Sequence, residues 1–253
     1  MTKLRTIWIL TLLFLSGCTQ SSAPEKPRLV MFIGADISGS FLKGKYFEDS
    51  LDFLAHYIYS HLNGLGGLEK PHALFVGSIG GEKPNEPKTL YPIQTFENAS
   101  VKEIRKRLAS IFPKHQSNPF TDYNAFFEQV ANTVKSRKLI LKPISIVMIS
   151  DGKPDVPKAK GNEKFRHIKL NPLEALSRNI TVRLLYTDAV IGAGWQNEVP
   201  RRRVKVWTTD GEVMVHWKAK GTLIPGKALG KQDRFFRWVK DNVNFGVRAK
   251  RVN

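Results

Sequence analysis

Cysteine is almost absent. The 253 residues contain one, Cys18, so no internal disulfide forms and a metal site built on several thiolates is excluded. A membrane-spanning stretch is missing too. The apolar run at 7–15 is far short of the about 20 residues that a spanning helix needs. The six histidines form no H-E-x-x-H pair, and no G-x-S-x-G occurs. Zinc-peptidase and serine-hydrolase chemistry are therefore without their carriers, and Ser38 has no evident histidine partner. His56 and His61 are five apart, on different faces of a helix, and read as surface or boundary residues. Gly64–Gly67 follows a helical stretch rather than a strand, so it is no nucleotide loop. Acidic residues are scarce: 22 Asp+Glu stand against 40 Lys+Arg, a net charge of +18. That imbalance excludes little but favours anionic partners, which include lipid surfaces, nucleic acid and acidic proteins, without choosing among them.

What is present begins with an address. Lys3 and Arg5 precede the apolar run 7–15, and Leu15-Ser16-Gly17-Cys18 follows. A positive start, a short apolar core and small residues before a cut are the layout of a secretory signal. The last four residues resemble the lipobox of bacterial lipoproteins, and that resemblance implies removal of 1–17 and lipid modification of Cys18. Loss of Lys3 and Arg5 lowers the net charge by two, to +16. Residues 18–27 are polar and carry two prolines, as a tether does. Position 19 is Thr rather than Asp, which by the family's Gram-negative sorting rule implies an outer-membrane anchor facing the periplasm.

The remainder, 28–245, reads as one domain, with a basic tail at 246–253. At 42% hydrophobic and 25% charged, the chain has apolar material enough for a sizeable core. Three near-continuous apolar runs, at 28–35, 144–150 and 180–186, suit strands buried on both faces. Helical spacing of Phe47, Leu51, Leu54, Ile58 and Leu62 marks an amphipathic helix over 45–62. Further helices are expected at 100–111, with Ser100 and Glu103 as a capping box, at 122–137, at 171–178 and at 234–243. His72–Ile79 and Leu90–Phe96 read as strands around a Gly/Pro-rich loop, the second an antiparallel partner. Val204–Trp207 and Val213–Trp217 flank Thr208-Thr209-Asp210-Gly211, a hairpin signal. The stretch 187–230 carries no other legible pattern. Strands alternating with helices predict an α/β fold: a doubly wound, mostly parallel sheet flanked by helices, with one antiparallel edge strand.

The chemistry collects at strand ends. The first buried run ends in Asp36-Ile37-Ser38-Gly39-Ser40, and the next ends in Asp151-Gly152. In open α/β sheets, ligands bind at the carboxyl ends of strands. Between the two, Asn118-Pro119-Phe120-Thr121 opens a helix and supplies a hydroxyl. Two carboxylates and three hydroxyls form an all-oxygen donor set. It suits magnesium, manganese or calcium, with magnesium favoured where few protein charges and retained water complete the shell. Asp122, next to Thr121, reads as a helix cap.

D-x-S-x-S after a buried strand, then a loop Thr, then a strand-terminal Asp-Gly resembles the von Willebrand factor type A (vWA) domain and its metal-ion-dependent adhesion site. Asp36, Ser38 and Ser40 match the first element, Thr121 the second and Asp151 the third. The resemblance implies that the hydroxyls touch the metal, that the aspartates bind it directly or through water, and that a Glu or Asp of a partner protein completes the shell.

The expected function is therefore metal-dependent protein binding on the cell envelope, without catalysis, since no residue is committed as a general base. The alternative is a binder of anionic envelope components or nucleic acid. It would use Arg201, Arg202 and Arg203 with Lys205 and Trp207 as an anion-binding patch, and its metal would be purely structural.

Overall fold

Val30–Asp36 (β1), Ala73–Ile79 (β2), Tyr91–Pro92 (β3), Ile144–Ile149 (β4), Ile180–Thr187 (β5) and Lys205–Asp210 (β6) hydrogen-bond side by side in the order β3-β2-β1-β4-β5-β6. The computed structural model describes residues 26–80, 88–114, 120–155 and 159–244. The proposed signal, Cys18 and most of the tether, the loop at 81–87, Asn118, Pro119 and the basic tail lie outside the described residues. β1 runs parallel to both neighbours, with Val30 beside Ala73 and Ile144. β3 alone is antiparallel, pairing Val76 with Tyr91. The sheet is the mostly parallel, doubly wound one expected, with a single antiparallel edge strand.

The apolar runs form central strands because both faces are covered. Met31, Ile33 and Ala35 point into one core layer with Phe47–Asn63 (α1), Val101–Ile111 (α2) and the later helix Asp233–Asn242. Val30 and Phe32 point into the other, against Tyr123–Ser136 (α3) and Trp195 of Ala189–Asn197 (α4). This is the period-two alternation of a strand. Asp233–Asn242, named α5, contributes Phe235, Phe236 and Val239 to the first layer. The capping box forms as expected: Ser100 accepts from the Glu103 amide and Glu103 accepts from the Ser100 amide. Asp122 caps α3 by accepting from the Ala125 amide at 2.9 Å.

Four expectations are corrected. Thr208–Gly211 is no hairpin. β6 runs parallel to β5, and Asp210 lies in extended backbone (φ −63°, ψ 145°), its side chain accepting from the Glu212 amide. A type I′ hairpin needs positive φ at that position, whereas here Asp-Gly is a helix start, and Gly211–Met214 and Val215–Lys218 are single helical turns. The strand at 90–96 shrinks to Tyr91–Pro92, because Pro92 has no N–H to continue the ladder and Ile93–Thr95 turns as a 3-10 helix. The helix at 171–178 stops at Glu174. His61 is buried rather than at the surface, its Nδ1 bonded to the Glu69 carbonyl at 2.8 Å. In the stretch without a legible pattern lies α4, capped by Asp188 through the Ile191 amide.

Candidate metal centre

The strand order reverses its direction of growth between β1 and β4: β2 and β3 lie to one side, β5 and β6 to the other. A crevice opens at the carboxyl ends of the strands at such a switch point. Asp36 is the last residue of β1, and Ser150-Asp151-Gly152 directly follows β4. The parallel register, Ala35 beside Ile149, sets both ends at one edge.

Asp36 is fully buried. Its Oδ1 accepts from the Ser38 amide at 2.8 Å, and its Oδ2 accepts from the Ser150 hydroxyl. Ser150 Oγ in turn lies 2.6 Å from the Tyr123 hydroxyl and accepts from the Gly152 amide at 2.9 Å. Since Ser150 gives its own hydrogen to Asp36, Tyr123 donates to Ser150. No Lys or Arg among the described residues pairs with the Asp36 carboxylate. Burial pushes its pKa up to about 6 against the pull of the Ser150 and Ser38 hydrogen bonds, and the charge of Asp151 adds to the rise. Burial, with the Asp36 charge behind it, also pushes the Tyr123 phenol well above its usual value.

The segment after β1 carries the hydroxyls, Ser38 at the N-cap of the single helical turn Gly39–Leu42 and Ser40 within it. Ser38 is buried and Ser40 exposed, with their oxygens 3.3 Å apart. Thr121 is buried, and its backbone abuts the end of β2: a Cβ at Gly80 (φ +85°) would fall 2.0 Å from the Phe120 carbonyl oxygen and 3.2 Å from Thr121 Cα. Only glycine permits that approach. Tyr123, two residues on, ties the same loop to Ser150. Asp151 is partly exposed, and Lys153 reaches it, with Nζ 3.3 Å from Oδ2 and its amide 3.2 Å from Oδ1. Gly152 takes φ +78°; a Cβ there would lie 2.8 Å from Ile191 and 2.9 Å from Leu184. Trp195 Nε1 donates to the Gly152 carbonyl at 2.8 Å and pins the turn.

Hydrogen bonds thus join Asp36, Ser38 and Ser40, and Ser150 ties Asp36 to the Asp151-Gly152 turn. Thr121 borders the edge through its backbone. Among the described residues no group of three or more His, Cys, Asp and Glu side chains comes together to hold a metal. The present set has two carboxylates and otherwise hydroxyls. The fit is still chemical: a buried carboxylate without a counter-cation among the described residues, beside a second carboxylate and neutral hard oxygens, matches a small hard cation. Ser150 and Tyr123 were missed in the sequence. The one available signal was that Ser150 is the polar residue closing an otherwise apolar strand.

The arginine cluster sits elsewhere, at the entry to β6 on the opposite sheet edge. Arg201 donates to the Val199 and Gln196 carbonyls. Arg203 donates to the Glu174 carbonyl, and the amides of Arg202 and Arg203 bond the Glu174 carboxylate. Much of the cluster's hydrogen bonding is spent within the chain.

No family model matches this chain, and neither does any curated protein. Solved structures similar to it include manganese-loaded TRAP protein of Plasmodium vivax (13% identity, TM-score 0.46, 75% of this chain and 71% of that one). Proximal thread matrix protein 1 of the mussel byssus gives 13% identity, a TM-score of 0.45 and coverage of 74% and 45%. The SpRpn10 VWA domain gives 10%, 0.32, and 72% and 88%. This chain spans less than half of the mussel protein. At these values the fold class rests on the strand order itself, and function rests on the side chains.

Proposed function

We propose that the chain is a vWA-type binding domain. It holds one divalent cation, magnesium or manganese, with Asp36, Ser38, Ser40, Thr121 and Asp151, and captures a Glu or Asp side chain of a partner protein. The observation that carries this reading is the fully buried Asp36 carboxylate at a topological switch point, which has hydrogen-bond donors but no counter-cation among the described residues. When bound, the cation supplies a Lewis-acidic position for an incoming carboxylate. The chain's own residues do the rest. Ser150 and the Ser38 amide hold Asp36 in one orientation. The Gly152 turn, pinned by Trp195, aims Asp151. Ser40 stands at the solvent side, where a partner arrives. The domain acts by binding and not by turnover, and Cys18 carries the lipid that anchors it to the envelope, with the outer membrane favoured in a Gram-negative cell.

Calorimetric titration with magnesium and with manganese tests the site. The expected result is about one ion per chain, weakened more than about 100-fold by Asp36→Asn and by Asp151→Ala. Asn keeps the size of Asp36, so loss of binding with an unchanged melt separates ligation from folding. Equal binding by all three proteins overturns the site. Partner capture that survives chelator but is lost on charge reversal at Arg202 supports the alternative, a basic anion-binding face with a structural metal.

A further inference from the structure

The parallel strands carry aspartates at one end and strongly basic loops at the other, while Lys43, Lys153 and Lys160 stand in the loops that leave β1 and β4 at the aspartate end. Four of the five parallel strands end in an aspartate or reach one within two residues: Asp36, Asp151, Asp188 and Asp210. The loops leading into those five strands, 26–29, 64–72, 137–143, 175–179 and 198–204, hold ten Lys or Arg and two Asp or Glu. Both acidic residues are engaged: Glu69 accepts from the Leu29 amide and Glu198 pairs with Arg166. The edge opposite the metal centre is thus basic.

One of these loops is also apolar. Ile140 is 45% exposed and Leu141 74%. They sit between Arg137 and Lys138 on one side and Lys142 on the other, and residues 129–150 contain no Asp or Glu at all. The turn is held firmly. Buried Leu139 anchors it, with its amide on the Val134 carbonyl at 2.8 Å, and the Leu141 amide bonds the Leu176 carbonyl at 2.8 Å. Leu141 nevertheless takes φ +69°, a conformation that a bulky residue rarely adopts. The fold therefore holds a strained leucine out into solvent where a polar residue would serve equally well for solubility. Arg178 stands exposed just beyond Leu176.

This turn lies where the N-terminal segment enters the domain. The Val30 amide bonds the Pro143 carbonyl at 2.9 Å, and Lys26, Pro27 and Arg28 line one shallow groove with Pro143.

We propose that the strand-entry edge docks on an anionic lipid surface, with Ile140 and Leu141 entering the interface and Arg137, Lys138, Lys142 and Arg178 meeting headgroup phosphates. Exposed apolar residues ringed by cations suit this occupant: the cations gain from the negative surface potential while the side chains leave water. An acidic protein would satisfy the charges but gives no reason for the position beside the N-terminal entry, which a lipid at residue 18 would bring to the membrane. Docked so, the domain turns its metal centre away from the lipid. The inference does not depend on the cation.

Residues 26–253 contain all six strands and both core layers, so they are the unit to test, by co-sedimentation with vesicles. Phosphatidylethanolamine vesicles containing phosphatidylglycerol are expected to bind at least about tenfold more tightly than phosphatidylcholine vesicles. The double variant Ile140→Ser/Leu141→Ser should lose roughly tenfold of that affinity. Arg137→Glu/Lys138→Glu should lose a similar factor together with much of the salt dependence. The same charge change at the metal edge, Lys43→Glu/Lys160→Glu, should leave binding as it was. All the altered residues are exposed, and matched thermal melts check folding. Three outcomes overturn the proposal: no binding of the wild type to anionic vesicles, equal losses in the entry-edge and metal-edge charge variants, or self-association through Ile140 and Leu141 in place of lipid binding. A blank calorimetric titration with metal leaves it standing.

Discussion

The Ser150 hydroxyl donates to Asp36 Oδ2 and so ties the carboxyl ends of β4 and β1 together beneath the candidate metal centre. Tyr123 donates to the same Ser150 from α3. Three elements meet at one buried oxygen.

Ser150→Ala leaves both Asp36 Oδ2 and the Tyr123 hydroxyl without that partner inside the protein. Buried groups stripped of a partner cost about 1–3 kcal/mol, and the Asp36 pKa rises further because the bond that lowers it is gone. The variant is expected to unfold at lower urea and to bind magnesium 10- to 100-fold more weakly, about the cost of losing a group that orients a ligand. Urea melts and calorimetry on the same sample measure both.

Gly152→Ala places a methyl group against Ile191 and Leu184 in a left-handed backbone that alanine disfavours. A loss of ~2 kcal/mol is expected. The Asp151 carboxylate moves with the turn, so metal affinity falls too. Trp195→Phe removes the hydrogen bond to the Gly152 carbonyl and should give the milder form of the same double effect.

Lys153→Gln works in the other direction. The ammonium group paired with Asp151 is well exposed, so its repulsion of a divalent cation is screened by solvent and salt. The variant is expected to bind magnesium roughly threefold more tightly at low salt and equally at high salt.

His61 gives the pH dependence. Burial, with the Arg183 charge assisting, pushes its pKa down from the ordinary 6.5 to about 4. Between those two values the unfolded chain takes up a proton that the folded one refuses. The imidazole's contribution is therefore fully present above pH 6.5 and is lost as pH falls toward 4, amounting to roughly 3 kcal/mol. Asp36, raised to about 6, acts oppositely in the metal-free protein. The quantity to measure is thus the wild-type urea stability minus that of His61→Gln, in which the Asp36 contribution cancels. A difference that stays flat from pH 7 to pH 4.5 counts against the assignment.

Much of this site was legible in the sequence because it sits where patterns end. An apolar run that stops at Asp36, and another that stops at Ser150-Asp151, mark strand ends whatever the rest of the chain does. Parallel pairing then needs only the usual handedness to bring them together. What stayed hidden depends on contacts distant in sequence. Ser150 looks like an ordinary strand terminus until Tyr123, 27 residues away, and Asp36, 114 away, are placed around it. Asp210-Gly211 misled because the same dipeptide serves a hairpin or a helix start, and only the parallel neighbour β5 decides between them. His61 stands on the buried stripe, four residues after Tyr57 and seven after Leu54, but a polar ring reads as a surface residue until the Glu69 carbonyl that bonds it, beyond the helix end, is in place.

The two-residue strand β3 shapes how the molecule meets other chains. It covers part of the β2 edge, and Pro92 has no amide hydrogen to offer outward. Another molecule seeking to add a strand at that edge finds almost no ladder to join, which guards this side of the sheet against edge-to-edge pairing. On this side recognition is thereby left to the strand ends, where any single capture event leaves the sheet's own hydrogen bonds undisturbed.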